Sequence, residues 1–199
     1  MNMKLIKSSA SVCMIFLLLS SCTKRNFYPD ADDPGLSILS SYGFNIASVY
    51  INNVPYVNPY KRGIIGGIVN YAPTLRKIQT AAAHDTLSLS WLINKNDNST
   101  GYNSPYQNIS LLIPVSKSFS VNDFIALSGK RLAANSNAIA VNSFYNPGNP
   151  GTSNLYFIKI HIDTSALYFS GLFDGKMGDS IVITKGRFDF KIDKNAINF

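Results

Sequence analysis

The chain is 199 residues long with a formal net charge of +7, a length that, less a leader, fits one domain whose core is large enough to fold without cross-links. All eleven acidic residues are Asp, so a strong helix former is missing, while plentiful Asn, Ser and Gly favour turns. Two cysteines, Cys13 and Cys22, exclude a disulfide framework and a cysteine-rich metal site.

Lys4 and Lys7 precede an apolar run from Ala10 to Leu19. The run has signal-peptide length and is too short to cross a hydrocarbon core of about 30 Å as a helix. It closes on Leu19-Ser20-Ser21-Cys22, which resembles the lipobox of bacterial lipoproteins: an aliphatic residue, two small residues and the cysteine that is acylated. The resemblance implies a lipoprotein signal peptide over 1–21 and a lipid-anchored Cys22, where each buried CH₂ contributes about 0.8 kcal/mol. Cys13 then leaves with the leader and Cys22 is consumed by lipid. Thr23 to Ser37 is polar, with two prolines and an Asp cluster, so 22–37 reads as the lipidated N-terminus and a flexible tether. Residues 38–199 read as a single all-β domain.

Phe44–Val57 predicts a hairpin around Asn52-Asn53, a pair that tolerates the positive φ of a tight turn. Pro55 suits an edge. Gly63, Gly66 and Gly67 lack a following GK[ST] and read as flexible strand or loop. Leu75–Ala83 predicts a strand, and Thr86–Asn94 a stronger one with Leu87, Leu89, Trp91 and Ile93 facing the core. The polar stretch 94–107 is a loop; its single Asp and lack of Glu argue against a calcium loop. Ile109–Val115, Phe124–Leu132 and Ala138–Phe144 are three further strands, and 145–154 is a second long loop. From Leu155 the pattern is a meander. Tyr156, Ile158, Ile160 and Ile162 share one face; Leu167, Phe169 and Phe173 are in phase; Ile181–Thr184 follows. The last strand points Phe188, Phe190 and Ile192 inward and Arg187, Asp189 and Lys191 outward. The expected architecture is an antiparallel β-sandwich or calycin-like barrel of about nine or ten strands.

Two blocks carry a family resemblance. SVYINNVPYV resembles the N-terminal hairpin of small lipoproteins common in the Bacteroidota, and IKIHIDTSALYFSGLFDG followed by DSIVITKGRFDFKI is similar to their C-terminal block. The resemblance implies an all-β fold in the cell envelope and brings no catalytic residue with it.

A catalytic reading needs convergent titratable groups. The best set is His161 with Asp163 and Asp189, approached by Ser170 or Ser180, but His161 and Asp163 are two apart on a solvated strand face, as in any exposed strand. His84 opens a strand beside Asp85. The expectation is a chain that is not an enzyme and holds no metal and no cofactor. Its basic residues fall in dispersed pairs, Lys61-Arg62, Arg76-Lys77 and Lys130-Arg131, rather than the stripe that nucleic acid requires. Positive charge at an envelope suits anionic headgroups or acidic glycans. The expected function is therefore non-catalytic binding by a membrane-anchored lipoprotein of the outer membrane, with a glycan or other envelope component held by Tyr102, Tyr106 and Tyr145. The alternative is a structural or accessory subunit docked to another envelope protein.

Overall fold

In β-rich sequence the side chains alternate between two faces, so one strand face can be apolar and its reverse polar. The computed structural model describes residues 29–58, 61–62, 68–69, 73–95, 107–132, 138–143, 151–197 and 199, and in them this alternation yields twelve strands. They are β1 (Ile46–Ile51), β2 (Val54–Val57), β3 (Lys61–Arg62), β4 (Ile68–Val69), β5 (Thr74–Ile78), β6 (Asp85–Lys95), β7 (Gln107–Val115), β8 (Arg131–Leu132), β9 (Ala138–Ser143), β10 (Gly151–Ile162), β11 (Ala166–Met177) and β12 (Ile181–Asp193). A short helix, α1 (Val121–Ile125), lies between β7 and β8, and a 3-10 turn over Lys194–Ala196 follows β12.

Eight strands close an antiparallel barrel in the order β10-β11-β12-β1-β2-β6-β7-β9 and back to β10. Each barrel strand pairs with the next barrel strand along the chain, and β12 pairs with β1 to close the ring. This is an up-and-down barrel, which removes the free edges that an open sheet would expose. Closure is brief at two seams. β2 meets β6 only at Tyr56↔Lys95 and Val57↔Asn94, and β9 meets β10 only at Ile139↔Gly151 and Ala138↔Thr152. Two extra strands take up the remaining edges, β5 along β6 and β8 along β10. β3 and β4 pair separately.

Several expected elements form as read. Asn52 and Asn53 adopt φ of 49° and 64° between β1 and β2. The Asn52 side chain also accepts from Val182 N (2.8 Å) and donates to Ser180 O (2.9 Å), locking the hairpin turn to the start of β12. Leu87, Leu89, Trp91 and Ile93 are all buried in β6, as are Phe188, Phe190 and Ile192 in β12.

Two expectations are corrected. Residues 124–132 do not form one strand, since only Arg131–Leu132 is extended, as β8: α1 is capped by Ser120, whose backbone N donates to Asp123 Oδ2 (2.9 Å) while its own Oγ accepts from Asp123 N. This reciprocal cap satisfies donors that a helix start leaves open, and it delivers Phe124 into the barrel end. The first half of β10 is also in the opposite phase to the one expected. Ile158 is an extra residue between the pairs Phe157↔Gly171 and Lys159↔Ser170, a bulge that flips the alternation. Leu155, Phe157 and Ile160 therefore face in, and Tyr156 faces out. The cause lies on the other edge of β10, where β8, the Gly129–Lys130 backbone (Gly129 N to Phe157 O, 2.9 Å; Phe157 N to Lys130 O, 3.1 Å) and Ser128 Oγ (2.9 Å from Ile160 N) hold it in turn. A second bulge at Thr184–Lys185, with Lys185 at φ 51°, lets Ile183 and Phe188 both point inward.

The interior is filled with rings. Trp91 lies 5.3 Å from Phe190, 5.5 Å from Phe173 and 5.8 Å from Phe188. Phe124 caps one end against Phe157 (5.4 Å), Phe169 (5.7 Å) and Phe199 (6.0 Å). Glycines at inward positions make room for these rings: a Cβ on Gly171 or Gly186 would stand 2.5 Å from the ring of Phe188 or Phe173 respectively. The outer wall of β10–β12 carries Lys159, His161, Asp174, Lys176, Arg187 and Lys191, the reverse of a membrane-spanning barrel, whose outer band is apolar.

Candidate functional site

The residues assembled from sequence into a catalytic set are separated by their partners. Asp189, 1% exposed, accepts hydrogen bonds from the backbone N–H of Gly43 (2.8 Å), Tyr42 and Phe44 (both 3.2 Å) and from the Ser40 hydroxyl. Ser170 Oγ pairs with Ser41 Oγ at 2.7 Å. His161 stacks on Tyr168, ring centres 4.7 Å apart and planes nearly parallel. Asp163 closes the β10–β11 turn by accepting from Ser165 N (2.7 Å) and Ala166 N (2.8 Å), and those two amides hold its carboxyl down to about 2. The Ser180 backbone serves the Asn52 clasp. Among the described residues no group of three His, Cys or Asp side chains is placed to hold a metal ion. Cys22, Tyr102, Tyr106 and Tyr145 lie outside the described residues. The strand ends that flank the three tyrosines converge, since Gln107 pairs with both Ile93 and Ser143.

A concave surface does form on the outer wall, and the two bulges shape it. Because Ile158 is extra, Tyr156 faces outward, directly across from Arg131 of β8 and Leu172 of β11. Because β12 bulges at Lys185, the wall dips beside Asp174. Arg131, Tyr156, Leu172, Asn154, Asp174 and Lys185 enclose a groove of about 200 Å³. It shares Asn154, Asp174 and Lys185 with a second groove of about 450 Å³ that continues along Thr152, Lys176 and Val182. Together they fall in the range of small-ligand sites, about 300–1,000 Å³. Within the groove Asn154 Nδ2 donates to Asp174 Oδ1 (2.8 Å). This combination offers an aromatic face, an apolar side chain, a guanidinium, an ammonium and an amide–carboxylate pair.

Lys185 is positioned by the chain's N-terminal segment. Residues 30–37, placed in the tether by sequence, lie against the barrel as a strap over β1 and β12. Lys185 Nζ donates to Asp33 Oδ2 (2.8 Å) and sits 5.6 Å above the Tyr50 ring, whose hydroxyl donates to Asp33 Oδ1 (2.6 Å). Arg187 donates to Asp30 Oδ2 (2.6 Å) and to Ser37 O (3.0 Å). Ser37 N donates to Ser48 Oγ (2.9 Å), and Leu36 is fully buried. The Lys185 and Tyr50 hydrogen bonds hold the Asp33 carboxyl below its ordinary value, and Asp33 in turn raises the Tyr50 hydroxyl. Asp30 is lowered first by the Asp32 amide and then by Arg187. The strap escapes the sequence reading because its charged partners, Lys185 and Arg187, lie some 150 residues away, and an Asp- and Pro-rich stretch reads locally as linker.

Fold and surface define a class: an up-and-down β-barrel with a ring-filled interior and a grooved, polar outer wall. Comparison with protein-family models, curated proteins and solved structures finds no match.

Proposed function

We propose that the chain is a lipid-anchored lipoprotein of the outer membrane with a non-catalytic binding role, and that its ligand is a glycan or another polyhydroxylated envelope component. The observation that carries the binding role is the outer-wall groove. Tyr156 offers a face for a sugar ring, Leu172 an apolar floor, Asn154 and Asp174 partners for hydroxyls, and Arg131 and Lys185 charges for an acidic substituent. The ring-filled interior leaves the outside as the recognition surface. Leu19-Ser20-Ser21-Cys22 supports the anchor, and the likeness of the C-terminal block to Bacteroidota lipoproteins supports the compartment. A glycan array probed with the purified protein tests the reading. Bound glycans should be shared by the wild type and Lys117→Ala, at a residue that lines neither groove, and lost with Tyr156→Ala and with Arg131→Ala. Glycan binding that both groove variants retain would remove the groove from the account.

A second reading is a subunit docked to another envelope protein. It draws on Leu172 and Val182, 36% and 44% exposed on the same wall. Co-purification of a stoichiometric protein partner, lost with Val182→Asp while glycan binding is absent, would favour it.

A further inference from the structure

The most exposed large apolar side chains among the described residues are gathered where the strap turns into β1: Tyr42 (78%), Phe44 (49%) and Leu39 (48%), with the Tyr42 and Phe44 rings 5.8 Å apart. The turn that displays them is firmly held. Asp189 takes three consecutive backbone N–H groups and the Ser40 hydroxyl, Ser41 pairs with Ser170, and Asn45 Oδ1 accepts from Lys191 N (2.8 Å). Gly43, at φ 75°, is seated against Tyr168 and the Lys191 stem, where a side chain of its own would clash. The fold thus uses a buried carboxylate to point two aromatic rings at solvent.

Charge and chain path say what meets them. Lys191 flanks the turn directly, and Lys159 sits across from Ser170, which holds Ser41. The neighbouring carboxylates of Asp163 and Asp193 accept from Ser165 N and Asn195 N and also act electrostatically on Lys191, so the three ammoniums of Lys159, Lys191 and Lys194 stand against two carboxylates there. The N-terminal part of the strap leaves from the same wall: Pro29 bridges to Ser37, which is bonded to Ser48, and Ser48 lies opposite Arg187. Arg187 is two positions from Asp189, about 7 Å along a strand. Eight residue steps separate Asp30 from Cys22, a reach of no more than about 29 Å at full extension.

We propose that the Leu39–Phe44 turn is a membrane-docking element. Tyr42 and Phe44 enter the interfacial layer of an anionic bilayer, where aromatic rings are favoured, and Lys159 and Lys191 face the headgroups. The barrel is thereby held in one orientation instead of swinging on its acyl anchor. The short reach rests on the anchor proposed above; the surface itself does not.

The test uses the full acylated protein in phosphatidylglycerol vesicles with brominated acyl chains. Tyr42→Trp is compared with Asp179→Trp, in the β11–β12 turn, after subtraction of the emission of Trp91. Docking predicts that emission from position 42 shifts to the blue and is lost to the brominated lipid, while position 179 is unaffected. Emission at position 42 that stays unshifted and unquenched overturns the docking, whether or not the protein is vesicle-bound. The intact mass of the same sample reports separately whether Cys22 carries acyl chains, so failure of the docking and failure of the anchor give different readouts.

Discussion

Asp189 shows how one residue can be legible in direction and opaque in role. Alternation along the last strand places it outward, next to Phe188 and Phe190, yet it is buried because the Ser40–Phe44 turn closes over it. Removing its carboxylate strands three backbone N–H groups, and each unsatisfied buried donor costs about 1–3 kcal/mol. Asp189→Ala should therefore lower the melting temperature far more than Lys191→Ala, which removes an exposed ammonium 5.2 Å from the Tyr168 ring and should cost no more than about 1 kcal/mol. Thermal melts of the two variants decide it; equal effects would mean that the clasp on the Ser40–Phe44 turn contributes little. Acid tests the two strap carboxylates and that of the β10–β11 turn. Asp30, Asp33 and Asp163 all titrate below the ordinary 3.8, Asp163 at about 2. Their contribution is fully present above 3.8 and is lost as the pH falls through each folded-state value. Lys185→Met should move the Asp33 carboxyl back up toward 3.8 in a carbon-detected titration, leaving Asp163 in place.

At the level of elements, the strands whose apolar residues keep one phase were legible: β6, β7, β11, the second half of β12, and the Asn-Asn hairpin. What escaped was any shift of phase. The Ile158 bulge is held by the continuous stretch 128–132 on the far edge of β10, well upstream in sequence, so nothing in the local pattern marks it, and strict alternation puts Tyr156 on the wrong face. The groove that Tyr156 helps to build was therefore hidden. Helix α1 was missed for another reason, because Phe124, Ile125 and Leu127 look strand-like unless Ser120 and Asp123 are weighed as a cap. Phe124→Ala should cost about 3–5 kcal/mol by opening the barrel end, and Ser120→Ala about 1 kcal/mol by loosening the cap. Gly186→Ala should also destabilise, by about 1–3 kcal/mol, since its Cβ would press on the Phe173 ring. Chemical denaturation of the three variants checks this order; a neutral Gly186→Ala would show that the ring has room to move.

For the molecule as a whole, the all-β class was legible from composition and periodicity, but the choice between sandwich and barrel was not. It depends on whether β12 finds β1, a pairing between opposite ends of the chain. Once closed, the barrel separates two tasks: a ring-filled interior gives stability, while the outer wall presents the groove and the exposed turn of the strap. Trp91, the single tryptophan, sits in that interior and makes the separation measurable. The most direct measurement is titration of the protein with an acidic oligosaccharide selected on the array, following heat and Trp91 emission together. The account predicts saturable heat that disappears in Tyr156→Ala, with Trp91 emission unchanged throughout. Binding that perturbs Trp91 and survives Tyr156→Ala would place the ligand inside the barrel and contradict it.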